Sequence, residues 1–284
     1  MTFLLTAIVF VAFASNSILC RLALGAHEID VASFTTARIV SGAVTLLLLR
    51  AATASRRRRA DVPNVSWIAA GLLFMYAAPF SFAYIALGAG TGALILFACV
   101  QATMLIGATR SGERFHWRER VGLVIALAGL VYLVSPALHA SISAPRPFGS
   151  VLMAVAGVAW GLYSLRGRGS TDPLGDTTNN FVWAVPLAFF LILVAWPTVH
   201  LSPRGLALAV ASGALASGLG YTIWFAALRR LTAIRAATVQ LTVPVIAAVG
   251  GLLLLHETIT ARLVLSAALI LGSVGLALAG RYHK

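Results

Sequence analysis

Arg38 stands eight residues inside an apolar run, Val31–Arg50, that contains no acid. At helical rise that is a depth of about 10 Å, where an isolated cation in a nonpolar medium is strongly disfavoured. Its chemistry is to bind a carboxylate, either one carried by a small-molecule ligand or that of Glu28 or Asp30 just ahead of the run. Gln101 and Gln240 occupy the middles of two other apolar runs. A primary amide offers two donors and an acceptor, enough to hold both ends of a zwitterion without adding net charge. The alternative use is an interhelical hydrogen bond worth about 0.6–2 kcal/mol. Asn16, between Ser15 and Ser17 in the first apolar run, is a fourth polar candidate.

Aromatic residues crowd the same regions: Phe74, Tyr76, Phe80, Tyr84, Trp160, Tyr163, Trp183, Tyr221 and Trp224. Tyr76, Phe80 and Tyr84 are spaced four apart and share one helical face, as do Tyr221 and Trp224 at a spacing of three. Such a face can stack an aromatic or thioether group at about 0.3–1.5 kcal/mol per contact. An interfacial belt is the other use of these rings, and it suits Trp67, Trp117 and Trp196, which lie at the ends of apolar runs. Pro79, Pro186 and Pro244 fall within runs and remove helical hydrogen bonds, while Gly218, Gly220 and the Gly250–Gly251 pair permit close packing. These positions are candidate hinges or plain kinks.

What is absent narrows the chemistry further. All eight acids (Glu28, Asp30, Asp61, Glu113, Glu119, Asp172, Asp176, Glu257) lie between apolar runs or at their ends, so no carboxylate is available mid-run to relay a proton. None of the six histidines lies mid-run, and no nucleophile dyad, Gly-rich phosphate loop or His-Glu-x-x-His appears, so neither an enzyme nor a bound metal or cofactor is expected. Cys20 and Cys99 sit in apolar runs as packing residues.

The elements that must position these side chains are membrane helices. Hydrophobic residues make up 60% of the 284-residue chain and charged residues only 10%, and the mean hydropathy is +0.94. That leaves too little polar surface for a soluble globule. Runs long enough to span a bilayer predict ten helices near 3–24, 31–50, 66–87, 91–109, 117–136, 148–166, 177–197, 205–228, 233–255 and 260–280. The first lacks a charged n-region and is long for a signal-peptide core, so it reads as a retained span. Pro145 and Pro147 are expected to fill the central connection.

The formal charge of +13 is a topology signal rather than a nucleic-acid footprint, because the cations cluster in alternate connections. One side takes Arg50, Arg56, Arg57, Arg58, Arg59, Arg110, Arg114, Arg118, Arg120, Arg166, Arg168, Arg229, Arg230, Arg235, Arg281 and Lys284. The other takes only Arg21, Arg146, Arg204 and Arg262. Both termini are therefore expected in the cytoplasm. Internal matches mark a duplication: Tyr84 with Phe225, Ala86–Leu87 with Ala227–Leu228 and Thr91 with Thr232 share an offset of 141 residues, close to half the chain. The halves, 1–138 and 146–284, hold five spans each. Because five is odd, they must lie in opposite orientations, an inverted repeat that supplies both packings required for alternating access.

Ala14–Arg21 aligns with Ala159–Arg166, where Trp160-Gly161 precedes a terminal cation. Gly112-Glu113-Arg114 and His256-Glu257-Thr258 close the fourth spans of the two halves, and Pro244 precedes Glu257 by 13 residues. In these features the chain resembles the ten-helix, EamA-type branch of the drug/metabolite transporter superfamily. The first half departs from the pattern, with Thr103 where Pro is expected, so the fourth span should bend less than the ninth or be shorter. Val100-Gln101-Ala102-Thr103 and Val239-Gln240-Leu241-Thr242, with the aromatic content, are most similar to exporters of aromatic amino acids and methionine.

The resemblance implies an all-α membrane carrier in a bacterial inner membrane that exports small amphipathic metabolites. Without a mid-membrane acid, an uncoupled facilitator is the simplest mechanism. The expected substrate contacts are Asn16, Arg38, Tyr76, Phe80, Tyr84, Gln101, Trp160, Tyr163, Tyr221, Trp224 and Gln240, with Pro79, Pro186, Gly218 and Pro244 as hinges. The expected partners are a small-molecule substrate and the lipid bilayer, with the carrier a monomer or homodimer. A multidrug or other metabolite efflux carrier is the main alternative, with a channel or an intramembrane enzyme more remote.

Overall fold

The computed structural model describes residues 2–53, 66–112, 117–138, 145–229, 231–257 and 260–279. The expectations placed on Arg56 to Arg59, Asp61, Glu113, Arg114, Arg230, Thr258, Arg281 and Lys284 lie outside these residues.

All ten expected spans are helical. Six are unbroken helices in the first half and the start of the second: α1 (Thr2–Gly25), α2 (Val31–Thr53), α3 (Trp67–Ala86), α4 (Ala89–Arg110), α5 (Trp117–Leu138) and α6 (Pro145–Gly167). The seventh is α7 (Pro173–Ala195). The eighth comprises α8 (Pro203–Ala211), a π-helical stretch at Ser212–Leu219, and α9 (Gly220–Leu228). The ninth is broken into α10 (Ala233–Gln240) and α11 (Val243–Leu255), and the tenth is α12 (Ala261–Ala279). Pro145 and Pro147 do not fill the central connection. They form the first turn of α6, where a missing N–H costs nothing because the first turn has no acceptor for it.

Local chemistry sets several ends. Asp172 caps α7, accepting from the Gly175 amide with Pro173 in the first turn, and Ser202 caps α8 in the same way. α11 closes on His256 in the left-handed region at φ 54°, which turns the chain back sharply enough for the Glu257 amide to reach the Gly251 carbonyl at 3.1 Å. The contrast expected between the fourth and ninth spans is present. Leu241 and Thr242 form a turn just before Pro244, whereas α4 runs through Thr103, whose hydroxyl bonds back to the Cys99 carbonyl at 2.8 Å. Helix continues through Pro79 in α3 and Pro186 in α7.

Packing follows a two-fold exchange of the halves. α1 packs on the eighth and ninth spans as α6 packs on α3 and α4, while α2 lies along α7 and α5 along α12. α2 meets the π-helical stretch at its closest point: a Cβ on Gly213 would sit 2.1 Å from the Arg38 carbonyl oxygen. The outer surface is apolar, with Leu48, Phe148, Phe190, Leu193 and Leu253 exposed, as lipid contact requires. Trp67, Trp117 and Trp196 are exposed at helix ends, and the Trp183 ring lies tilted against Trp67 with centroids 4.3 Å apart.

Candidate functional site

The centre of the bundle is a closed chamber walled by rings. Phe13, Tyr76, Phe80, Leu96, Phe97, Trp160 and Tyr221 surround about 10 Å³, the room of one water molecule. Phe13 is its hub, edge-on to Trp160 at 5.4 Å and to Tyr221 at 5.8 Å, and stacked with Phe97 at 6.5 Å. Trp160 lies 5.0 Å from Tyr76 and 4.6 Å from Tyr221. Its indole N–H donates to Gln240 Oε1 at 3.1 Å, and the Gln240 amide nitrogen donates to the Ala236 carbonyl at 3.2 Å and to Met104 Sδ at 3.4 Å. Gln240 thus fixes the Trp160 ring from the turn before the break in the ninth span.

Arg38 lies behind this wall and bonds to two of its residues. It is 1% exposed, donates from Nη2 to the hydroxyls of Tyr76 at 3.0 Å and Tyr221 at 2.8 Å, and lies over the rings of Tyr76 and Phe80. Its Nε donates to Ser217 Oγ at 3.1 Å, and Ser217 in turn donates to Asn16 Oδ1 at 3.2 Å. Ser212 donates to the same Asn16 oxygen at 2.7 Å. The π-helical stretch is what brings Ser212 and Ser217 to one side chain, because its extra residue per turn puts positions five apart in line. In this network Arg38 Nη1 and Asn16 Nδ2 are left without a partner, on two side chains that the Ser217 hydroxyl bridges through Arg38 Nε and Asn16 Oδ1.

The expected pairing of Arg38 with Glu28 or Asp30 does not occur. Glu28 pairs with Arg204 at 3.3 Å and accepts from Ser202, while Asp30 caps α2 through the Ser33 amide and takes the His200 amide, each at 2.9 Å. Both acids are used in fastening the first connection to the one before α8. No carboxylate among the described residues reaches the guanidinium. A buried, unneutralised cation costs several kcal/mol, so this arrangement is poised for an anion.

At the arginine-rich end of the bundle a second cavity of about 270 Å³ opens between α3, α6, α7 and α9, lined in part by Ser66, Tyr163, Arg166, Asp176, Asn180 and Phe225. Tyr163 separates it from the chamber. Its hydroxyl accepts from Asn180 Nδ2 at 3.1 Å, and its ring sits 5.7 Å from Trp160 and 5.1 Å from Phe225. The opposite end is shut. Both Glu257 carboxylate oxygens accept from the Ala89 amide, at 3.0 and 2.9 Å, at the N-terminus of α4. Arg21 lies 3.7 Å from Glu257 and donates to the carbonyls of Tyr84 and Ile85 at 3.0 and 3.1 Å.

Comparison with known proteins agrees with this architecture. Residues 147–279 match the EamA-like transporter family. An uncharacterized protein of Pseudomonas aeruginosa is 47% identical across 100% of this chain and 96% of its own length. The chain belongs to the EamA-like transporter family. As an EamA-like protein it is a multi-pass membrane transporter with a small-molecule substrate. It is similar to a probable amino-acid metabolite efflux pump of Escherichia coli, 28% identical over 75% of this chain and 76% of that one. An uncharacterized transporter of Bacillus subtilis is 23% identical, with 87% and 86% covered. A crystal structure 20% identical in sequence shares the fold, with a TM-score of 0.74 over 96% of this chain and 98% of that one.

Within this EamA-like fold the sequence candidates divide by place. Tyr76, Phe80, Trp160 and Tyr221 line the chamber, and Arg38, Asn16 and Gln240 bond to that wall or to one another's partners. Tyr163 lines the outer cavity. Tyr84 is packed at the shut end, its hydroxyl on the Ala89 carbonyl at 3.3 Å. Trp224 is buried behind Phe13 and Phe10, and Gln101 is buried in α4 with Oε1 unpartnered; neither lines the chamber. Gly218 lies in the π-helical stretch and Pro244 beside the break in the ninth span. Phe13, Phe97, Ser217 and Asn180 belong to the site without having been singled out from sequence. Asn180 alone carried a readable signal, as an amide one turn into an apolar run.

Proposed function

We propose that this transporter exports neutral amino acids, aromatic ones and methionine foremost, across a bacterial inner membrane by alternating access. The observation that carries the reading is the Arg38 guanidinium, buried beside an aromatic chamber with Nη1 free and no carboxylate among the described residues to pair with. A substrate carboxylate on Arg38 and Asn16 would neutralise it, while the rings of Phe13, Trp160 and Tyr221 would receive an apolar side chain. Amino-acid efflux is also the printed role of the Escherichia coli relative. A cationic drug would meet the Arg38 charge, which disfavours the multidrug alternative.

In this reading residues 1–138 and 146–284 are the two inverted repeats, and both termini are cytoplasmic, so the cavity at Tyr163 opens inward. With no acid mid-span among the described residues to carry a proton, the carrier acts as a facilitator and gradients set the direction. The test is counterflow of labelled phenylalanine into proteoliposomes preloaded with unlabelled phenylalanine, with no ion gradient. Accumulation that methionine competes and sugars do not is expected. No accumulation by correctly folded protein would overturn the reading, and transport that requires an imposed pH gradient would overturn the facilitator.

A further inference from the structure

The cavity outside Tyr163 holds two charges of opposite sign that do not pair with each other. Arg166, at the end of α6, is exposed and, among the described residues, makes a 3.4 Å hydrogen bond to Ser66 Oγ. Asp176, in the first turn of α7, is part-buried and accepts from the Ser170 hydroxyl at 2.5 Å. No carboxylate among the described residues pairs with Arg166, although Arg21, the residue aligned with it in the first half, is committed to Glu257 and two carbonyls. Two unpaired opposite charges lining one 270 Å³ space fit a ligand that carries both charges itself. The inner wall supplies the apolar part of the match, with the rings of Tyr163 and Phe225 edge-on at 5.1 Å.

We propose that this outer cavity is a separate receiving site for a zwitterionic amino acid, with Arg166 taking the carboxylate and Asp176 the ammonium before the substrate passes Tyr163 to Arg38. The inference rests on the amino-acid reading of the chamber and adds a second station to it. It accounts for polar groups that the chamber does not use. Holding both charges selects zwitterions at the door, ahead of the chamber, which offers a cation but no acid. The site is solvent-exposed, so its electrostatic contribution is modest.

Two measurements test it. Asp176→Asn and Arg166→Gln should each raise the KM for phenylalanine about fivefold, with kcat changed less than twofold, the size expected of a half-exposed ion pair. Independently, Gly169→Cys puts a thiol into open space in the cavity lining. Phenylalanine should slow its labelling by a charged methanethiosulfonate more than phenethylamine or hydrocinnamate does, and Asp176→Asn should erase the advantage over hydrocinnamate. Unchanged KM in both variants, or labelling that phenylalanine does not slow, overturns the receiving site while wild-type counterflow leaves the carrier intact. Protection without wild-type counterflow would support the receiving site and sink the amino-acid carrier.

Discussion

The two ends of the bundle are built from aligned residues and are found in opposite conditions. At one end Arg21, four residues before the end of α1, is fastened to Glu257 and to the Tyr84 and Ile85 carbonyls of α3, and Glu257 caps α4. At the other, Arg166, at the close of α6, stands in an open cavity beside Phe225, the residue aligned with Tyr84. The same local sequence plan thus yields a latch in one place and a vestibule in the other. Local propensity cannot explain the difference, since both arginines lie in the last third of apolar helices of similar length. What differs is the partner that arrives from the other half: Glu257 crosses 168 residues of chain to meet Ala89. The state of each end is a tertiary choice, which is the property a carrier needs in order to exchange one for the other.

The largest expected effect comes from the chamber that lies between the two ends. Arg38→Met should lower phenylalanine counterflow about 50-fold, since a hydrogen bond to a charged group contributes about 1.5–3 kcal/mol. Arg38→Lys should recover part of it, and fluorescence-detected size exclusion checks folding of both. Loss of equal size whether substrate is supplied from the vestibule side or the latched side would establish that one chamber is loaded from both. Next is the latch itself. Glu257→Gln keeps the shape but removes the charge at the N-terminus of α4, about 1.5 kcal/mol for a partly exposed group. Labelling of Leu87→Cys from the latched side should quicken about tenfold, and labelling of Gly169→Cys at the vestibule should slow. An effect on the first alone would mean that the two ends are not coupled.

Trp160→Ala tests the chamber wall between them. Its ring touches Phe13, Tyr76, Tyr163 and Tyr221, and aromatic contacts add about 0.5–1.5 kcal/mol each beyond burial. Removing it should raise the phenylalanine KM roughly fivefold with expression intact, because the free rings can partly close the gap. Normal kinetics would move the substrate out of this chamber.

Much of this arrangement is legible in the amino-acid sequence. A bilayer demands about 20 apolar residues per helix, so the spans declare themselves, and the break before Pro244 against the unbroken α4 followed from Pro versus Thr103. The value of Arg38 was legible from its depth, but its partners were not: Glu28 and Asp30 are nearest in sequence, yet both turn outward to α8 and its preceding connection. Phe13 was hidden because one Phe in an apolar run looks like every other. The π-helical stretch was hidden for a related reason, since Ser212 and Ser217 are neighbours only when the turn widens. Sequence periodicity reports which face is apolar, and it is silent on which of several apolar faces becomes the chamber.

The smallest expected effect lies at the partition between vestibule and chamber. Tyr163→Phe removes the hydroxyl that accepts from Asn180 but keeps the ring against Trp160 and Phe225. One neutral hydrogen bond contributes about 0.5–1 kcal/mol net, so the partition should loosen only about threefold. The readout is the labelling rate of Leu96→Cys in the chamber wall by a reagent added on the vestibule side, compared with the same cysteine beside native Tyr163. A threefold rise leaves ring packing as the main barrier on this side, in contrast to the charged latch at Glu257. A rise as large as that from Glu257→Gln would make the Asn180–Tyr163 bond the inner equivalent of that latch, and the two ends would then differ in position but not in kind.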